Sequence, residues 1–172
     1  MHALHMEKSR WTVRDLTVTA VMTAFVFLLT FVPKIPIPLG YAHLGDAGIF
    51  VLLCLGWRRE ALAAACLGSM LADLVGGFPL WIGATLVIKW AMAETFLHTA
   101  NLKAKDLVTA PRTLLALLLA CLVMAAGYTA FGAVLYDSLA AGLASAPGLL
   151  AEGAVNILAF YAVIKPLQRL TK

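Results

Sequence analysis

Charged residues are scarce in this sequence, and that scarcity indicates its broad class. Only 13% of the 172 residues are charged, whereas 62% are hydrophobic and the mean hydropathy is +0.91. Soluble domains typically contain about 25% charged and about 45–50% apolar residues. The composition therefore excludes an ordinary soluble domain and predicts an integral membrane protein. We expect the lipid bilayer to be one of its partners.

Motifs of common catalytic and metal sites are missing as well. The three cysteines, Cys54, Cys66 and Cys121, lie in apolar segments without CxxC spacing, as expected of small buried hydrophobic residues. The sequence has no HExxH motif, and it has no GxxxxGKS or GxxxxGKT motif with which to hold ATP phosphates. We therefore expect no metal ion, no cofactor and no catalytic residue.

The net charge of +4 indicates orientation rather than binding to nucleic acid. Basic residues cluster in alternate segments between the apolar runs: Lys8, Arg10 and Arg14, then Arg58 and Arg59, then Lys103, Lys105 and Arg112, then Lys165, Arg169 and Lys172. The other connecting segments contain only one lysine or arginine, Lys34. This positive-inside pattern predicts an even number of spans with both termini in the cytoplasm.

Six apolar runs predict the fold class, an all-α integral membrane protein with six transmembrane helices in a single domain, residues 1–172. Since a crossing needs about 20 helical residues, we place the spans at 13–33, 45–56, 61–77, 81–99, 112–136 and 146–165. The second run is too short for a lipid-facing crossing. Because short segments at membrane depth are tolerated where they line a cavity or are buried in protein, it points to a binding site.

Two larger loops are expected on the outer side. Pro33, Pro36 and Pro38 end the first span and predict an extended loop, because proline disfavours helix in the residue before it. We expect this loop, residues 34–44, to act as a lid. The second outer loop is expected over residues 136–147.

Polar residues inside the spans form the candidate site, because ionisable groups are costly in a membrane and each is a functional hypothesis. The predicted substrate-binding residues are Tyr41, His43, Asp46, Asp73, Trp81, Thr85, Lys89 and Asn156. Trp81, Thr85 and Lys89 are four residues apart and share a helix face, and the same holds for Glu152 and Asn156. Most of this set lies in the outer half of the membrane, which predicts a pocket open to the outside and closed below.

Individual roles follow from residue type. Tyr41 and Trp81 would stack on a ligand ring, whereas the aspartates, the lysine and the asparagine would supply hydrogen bonds. A buried Lys89 requires a carboxylate partner, for which Asp46 and Asp73 are both candidates. Tyr128 is interpreted as an aromatic residue of the membrane interface, and the role of Glu152 stays open.

Three alternatives remain at this point. An intramembrane aspartyl protease would pair two aspartates, but the Gly-x-Gly-Asp motif is incomplete, since His43 stands at its first position. A stand-alone secondary transporter would need polar groups through the full membrane depth and inverted repeats. A structural subunit would use the buried charges only as a salt bridge.

Small residues repeat at every fourth position on two helices. Ala64, Gly68, Ala72 and Gly76 form a stripe on the third span, which we interpret as packing within the bundle. Ala20 and Ala24 form a shorter stripe on the first span, for which packing and docking of another membrane protein are both open.

Three segments in order resemble the substrate-binding S components of energy-coupling factor (ECF) vitamin transporters. They are GYAHLGDAGIF at 40–50, LGSMLADLVGGFPLW at 67–81 and TLVIKW at 85–90. The most similar branch is the riboflavin-type group, which includes hydroxymethylpyrimidine and pyridoxine carriers. The resemblance implies a six-helix protein of the bacterial cell membrane that captures a water-soluble vitamin and associates with a transmembrane coupling subunit and two cytoplasmic ATPases.

The resemblance also implies roles for single residues. Ala20 and Ala24 fit the Ala-x-x-x-Ala face that contacts the coupling subunit, while Asp46, Asp73 and Lys89 fit the family's Gly-Asp-Ala, Leu-Ala-Asp and fourth-helix lysine positions. Trp90 departs from the glycine that often follows this lysine, and we expect its bulky ring to alter the packing or the pocket. The expected ligand is pyridoxine-like or hydroxymethylpyrimidine-like, because riboflavin would need a larger and more apolar slot.

Overall fold

The structure, a computed structural model, describes residues 11–102 and 110–170. Its six helices are α1 (Val13–Phe31), α2 (Gly45–Cys54), α3 (Arg58–Gly76), α4 (Ile82–Thr99), α5 (Pro111–Leu135) and α6 (Leu139–Leu170). Two short strands, β1 (Ile35–Ile37) and β2 (Gly40–Ala42), lie between α1 and α2, and a 3₁₀ turn (Pro79–Trp81) leads into α4. Four helical segments are long and apolar enough to cross a membrane, namely Val13–Phe31, Pro79–Thr99, Pro111–Leu135 and Leu139–Gln168.

The start of α1 and the end of α3 follow from local chemistry. At the start of α1, Thr12 and Asp15 form a capping box, in which each side chain accepts the backbone N–H of the other. Gly77 ends α3 in the left-handed conformation, with φ +86°, which glycine adopts without steric cost.

Part of the predicted basic segments lies outside the described residues, namely Lys8, Arg10, Lys103, Lys105 and Lys172.

The predicted extended loop over residues 34–44 contains a β-hairpin. Its strands are antiparallel, with Ile35 opposite Ala42 and Ile37 opposite Gly40. Leu39 makes the turn with φ +66°, an uncommon conformation for a residue with a side chain. The hairpin brings residues that precede α2 back over the end of the bundle.

Helix α2 is the centre of the bundle. Nine of its ten residues are buried, and it packs against α1, α3, α4 and α6. Its aromatic residue Phe50 meets Phe96 of α4 and Phe160 of α6, with ring centroids 5.0 and 6.5 Å away. The short second segment is thus buried in protein, as predicted from its length.

The small-residue stripe on α3 packs inside the bundle, as predicted. Ala64, Gly68 and Ala72 are buried, and a Cβ atom added at Gly68 would lie 2.8 Å from the carbonyl oxygen of Thr23 on α1. The two helix backbones therefore approach closely at this position.

The predicted outer loop 136–147 and the predicted start of the last span are wrong. Helix α6 begins at Leu139 and continues through Pro147 to Leu170. Gly142 packs closely enough on α5 that an added Cβ would meet the Ala133 side chain at 2.7 Å. Proline alone would discourage helix here, but proline is tolerated inside membrane helices that pack against neighbouring helices. The other predicted spans agree with the helices to within three residues at each end.

We predict that Gly68→Ala lowers the free energy of unfolding by roughly 1–3 kcal/mol, because the added methyl group overpacks the contact between α1 and α3. Thermal unfolding of the purified protein in detergent measures this loss. Gly83→Ala is the matched control, since a Cβ atom there meets nothing within 4 Å. Equal effects of the two substitutions would contradict the close contact at Gly68.

Candidate functional site

A cavity opens at the end of the bundle where the hairpin joins α1 to α2. Its empty space is about 490 Å³ when the open mouth is included. The wall consists of Ile37, Pro38, Leu39, Gly40, Tyr41 and His43 from the hairpin segment, Asp73 from α3, Phe78 and Trp81 from the turn before α4, Tyr128 from α5, and Ser145, Leu149 and Glu152 from α6. The cavity is therefore built by residues distant in sequence.

The α4 face predicted from four-residue spacing leads from the cavity into the bundle. Trp81 lines the cavity, whereas Thr85 and Lys89 lie one and two turns deeper along the helix, with exposed fractions of 1% and 0%. One helix face thus supplies an aromatic wall, a hydroxyl and a buried charge at successive depths.

Asp73 is held by two hydroxyl groups. The Tyr41 hydroxyl donates to Asp73 Oδ1 at 3.0 Å, and the Thr85 hydroxyl donates to Asp73 Oδ2 at 2.5 Å. The Tyr128 hydroxyl in turn donates to Thr85 Oγ1 at 3.1 Å. Burial, followed by the nearby Asp73 carboxylate, raises the pKa of Tyr41, so its proton stays available to Asp73.

Lys89 forms a buried ion pair with Asp46 of α2. Neither side chain is more than 1% exposed, and the Lys89 ammonium also lies 5.4 Å from the centre of the Tyr128 ring. Of the two carboxylates considered as its partner, the structure selects Asp46. The second carboxylate oxygen of Asp46 has no hydrogen-bond partner among the described residues.

Asn156 ties α6 to the start of α2. Its side-chain oxygen accepts the Ala47 N–H at 2.8 Å, one of the first-turn donors that a helix leaves without an internal partner. Its amide group donates to the carbonyl oxygens of His43 and Glu152 at 2.8 and 2.9 Å. Asn156 is fully buried, so the structure gives it a positioning role beneath the cavity.

His43 and Glu152 meet at the cavity wall. Nδ1 of His43 accepts the Gly45 N–H at 3.2 Å, and Oε1 of Glu152 lies 3.1 Å from the same nitrogen. Burial, followed by the charge of Lys89, lowers the pKa of His43 to about 4. The imidazole is therefore neutral near pH 7, and its contact with Glu152 is not an ion pair at that pH.

The structure brings the predicted site residues together at two levels. Tyr41, His43, Asp73 and Trp81 line the cavity. Asp46, Thr85, Lys89 and Asn156 are buried behind that wall, and contact of any of the eight residues with a ligand stays a prediction.

Sequence reasoning misplaced Tyr128 and missed part of α6. Tyr128 was interpreted as an interface aromatic, but its hydroxyl bonds Thr85 and its ring lies 5.8 Å from that of Trp81 at the cavity. Ser145 and Leu149 share a helix face with Glu152 by their spacing, and this spacing is the signal that would have found the two missed residues. The loop expected over residues 136–147 concealed Ser145.

Trp90 does not change the pocket. It is 52% exposed on the outer surface of the bundle, because one residue of helix turns it about 100° away from Lys89. The expectation that its ring alters the cavity is wrong.

Asp46 and Asp73 do not form a catalytic dyad. Asp46 pairs with Lys89, whereas Asp73 accepts bonds from two hydroxyl groups. Paired catalytic carboxylates share a proton at close range, and this arrangement holds each aspartate with a separate partner.

Residues 10–169 match the family model described as "ECF-type riboflavin transporter, S component". This chain belongs to that family. Among solved structures, an S component of a bacterial ECF transporter superposes with a TM-score of 0.73 at 18% identity, over 92% of this chain and 98% of that chain. The search of curated proteins gives no match.

The match confirms the predicted S-component family and the all-helical membrane fold with six helices. This S component is a multi-pass membrane protein for binding and transport, not an enzyme. S components of ECF transporters bind a vitamin and pair with an energising module. The pyridoxine or hydroxymethylpyrimidine branch and the orientation of the termini stay predictions.

We predict that Lys89→Met lowers the free energy of unfolding by roughly 3–5 kcal/mol, because it leaves Asp46 buried without a counter-charge. Thermal unfolding without ligand measures the loss. Adding Asp46→Asn should restore much of it, whereas adding Asp73→Asn should not. Equal rescue by both second substitutions would contradict the assigned ion pair.

Proposed function

We propose that this S component captures a small, flat, water-soluble heteroaromatic vitamin from outside the cell for an ECF-type importer. The observation that carries the proposal is a cavity with aromatic walls and two carboxyl groups, Asp73 and Glu152, at one end of an S-component bundle. Such sites combine apolar surface with a few polar groups that orient the ligand.

The aromatic side chains support a flat ring as the ligand. Tyr41 packs on Phe78 with ring centroids 5.3 Å apart, and Trp81 packs on Tyr128 at 5.8 Å. All four rings line the cavity. Within each pair, the contact between the two rings fixes their orientation. A ligand ring entering between them would find rigid surfaces on which to stack.

The ligand that we favour is pyridoxine-like or hydroxymethylpyrimidine-like. Both carry hydroxymethyl groups and ring nitrogens, which suit the carboxyl groups of Asp73 and Glu152. Riboflavin is the second candidate, because the matching family model is described by that vitamin.

The outward direction of the cavity is supported by charge at the other end of the same helices. Asp73 lines the cavity near the end of α3, whereas Arg58 and Arg59 stand at its beginning. Since basic residues favour the cytoplasmic side, this charge distribution supports a cavity on the outer side and both termini inside. The loop over residues 34–44, which contains the hairpin, would then act as the predicted lid.

The closed lower half supports an S component over a stand-alone transporter. Below Lys89 the bundle is filled by Phe50, Phe96 and Phe160, all fully buried, and no polar path of described residues continues there. The chain has no phosphate-binding loop for ATP. Energy would therefore come from a coupling subunit and two cytoplasmic ATPases.

The coupling subunit would dock on α1. Ala20 and Ala24 are exposed on the outer face of this helix, and small exposed residues permit close approach of another helix. The pair stands apart from the cavity wall, so that docking and ligand capture use different surfaces.

We predict that the purified protein unfolds at higher temperature with one vitamin from a panel of pyridoxine, 4-amino-5-hydroxymethyl-2-methylpyrimidine and riboflavin. A ligand present at a hundred times its Kd raises the free energy of unfolding by about 2.7 kcal/mol. Thermal unfolding detects a change of this size readily. Mass spectrometry of small molecules that co-purify is the complementary measurement. No shift with any vitamin, and no co-purified heterocycle, would refute the proposed function.

We predict that Ala20→Trp with Ala24→Trp blocks co-purification with the coupling subunit but leaves ligand affinity unchanged. The matched control is Ala126→Trp with Ala130→Trp, which has the same spacing on an exposed face of α5. If the α1 variant still co-purifies with the subunit, the docking assignment is wrong.

A further inference from the structure

The hydroxyl groups at the cavity wall all donate their protons into the protein. Tyr41 donates to Asp73 at 3.0 Å, Tyr128 to Thr85 at 3.1 Å, and Ser145 to the Gly142 carbonyl oxygen at 2.7 Å. A hydroxyl group has one proton and two lone pairs. Toward the cavity, these three side chains therefore offer only acceptor lone pairs.

The direction of the Tyr128 bond follows from its neighbours. An ionised Asp73 can only accept, so the Thr85 hydroxyl must donate its one proton to Oδ2. Thr85 Oγ1 then has only lone pairs left, and Tyr128 is the donor in their contact. This chain of hydrogen bonds, from Tyr128 through Thr85, ends at Asp73.

Donors behind the wall are also engaged. Lys89 pairs with Asp46, and both N–H groups of the Asn156 amide donate to backbone carbonyl oxygens. The Lys34 ammonium lies over the rings of Phe31 and Tyr41, at 4.2 and 4.3 Å from their centres, and is not part of the wall. Among the described lining side chains, a proton without a partner remains on the indole of Trp81 and on the far nitrogen of His43.

Glu152 is the strongest sign of what the cavity accepts. It lines the cavity although only 4% of the residue is exposed, and its Oε1 has no hydrogen-bond donor among the described residues. The atom 3.1 Å away, His43 Nδ1, already accepts the Gly45 N–H and is itself an acceptor. A buried acceptor without a donor is costly, so the Glu152 carboxyl group at the cavity wall favours a ligand that brings a hydrogen-bond donor or a positive charge close to it.

We propose that the bound vitamin is a nitrogen heterocycle that is cationic, or protonated in the site, and that donates N–H bonds to Glu152 and Asp73. This inference rests on the proposed function and narrows its substrate class. A wall whose hydroxyl and carboxyl oxygens outnumber its two free N–H groups favours donors and positive charge, because each N–H bond to an ionised carboxyl group is charge-assisted. Heterocycles that present mainly carbonyl acceptors would face lone pairs and bind less tightly.

The wild-type protein tests this inference by isothermal titration calorimetry with two matched ligand pairs. One pair is 4-amino-5-hydroxymethyl-2-methylpyrimidine and its 4-oxo analogue, and the other is pyridoxine and the analogue with a ring C–H in place of nitrogen; riboflavin is the neutral reference. At least one parent compound should bind tenfold or more tightly than its analogue and than riboflavin. If riboflavin or an analogue binds as tightly as the parents, the inference fails while the proposed function stands. If nothing binds, both fail.

Glu152→Gln provides the residue test, because it keeps the side-chain size and replaces the ionisable carboxyl group with a neutral amide. The Kd for the preferred parent compound should rise about tenfold to a hundredfold, with little change for its analogue. Glu94→Gln is the control, since Glu94 pairs with Arg58 at 2.7 Å on the other end of α4 and should leave Kd unchanged. An equal rise for parent and analogue would overturn the inference. Should Glu152→Gln not fold, the comparison of ligands on the wild type decides alone.

Discussion

The buried ion pair between Lys89 and Asp46 is the constraint on which the rest of the site depends. A lysine at this depth cannot remain charged without a counter-charge, and the pair brings the beginning of α2 against the middle of α4. Helix α2 can then be short, because it is surrounded by protein rather than lipid. The pair also neutralises itself, so the acidic character of the cavity comes from Asp73 and Glu152 above it.

Around this pair, each polar side chain fixes the next one. Asn156 joins α6 to the first turn of α2 and to the His43 carbonyl oxygen. Hydroxyl groups from β2 and α4 donate to Asp73, and a hydroxyl group from α5 donates to the one from α4. The cavity wall is thus held in place before any ligand enters. Preorganisation of this kind reduces the ordering cost of binding.

The residues that were predicted from the sequence carry a clear local signal, whereas those that were missed do not. Charged residues in apolar runs stand out by their cost in the membrane, and Trp81, Thr85 and Lys89 stand out by their spacing on one helix. Tyr128 has neither mark, because a tyrosine near a helix end is ordinary in membrane proteins. Ser145 was missed because Pro147 led to a predicted loop, whereas α6 continues through this proline.

The sequence by itself determined the membrane class, the six helices, the S-component family and the set of polar residues, because hydropathy, spacing and ordered motifs are properties of the chain. Only the tertiary structure decided that Lys89 pairs with Asp46 rather than Asp73, that Tyr128 turns inward, and that the hydroxyl groups of the wall donate to protein groups. These facts depend on how each helix is rotated against neighbours that are distant along the chain. No local pattern contains that rotation.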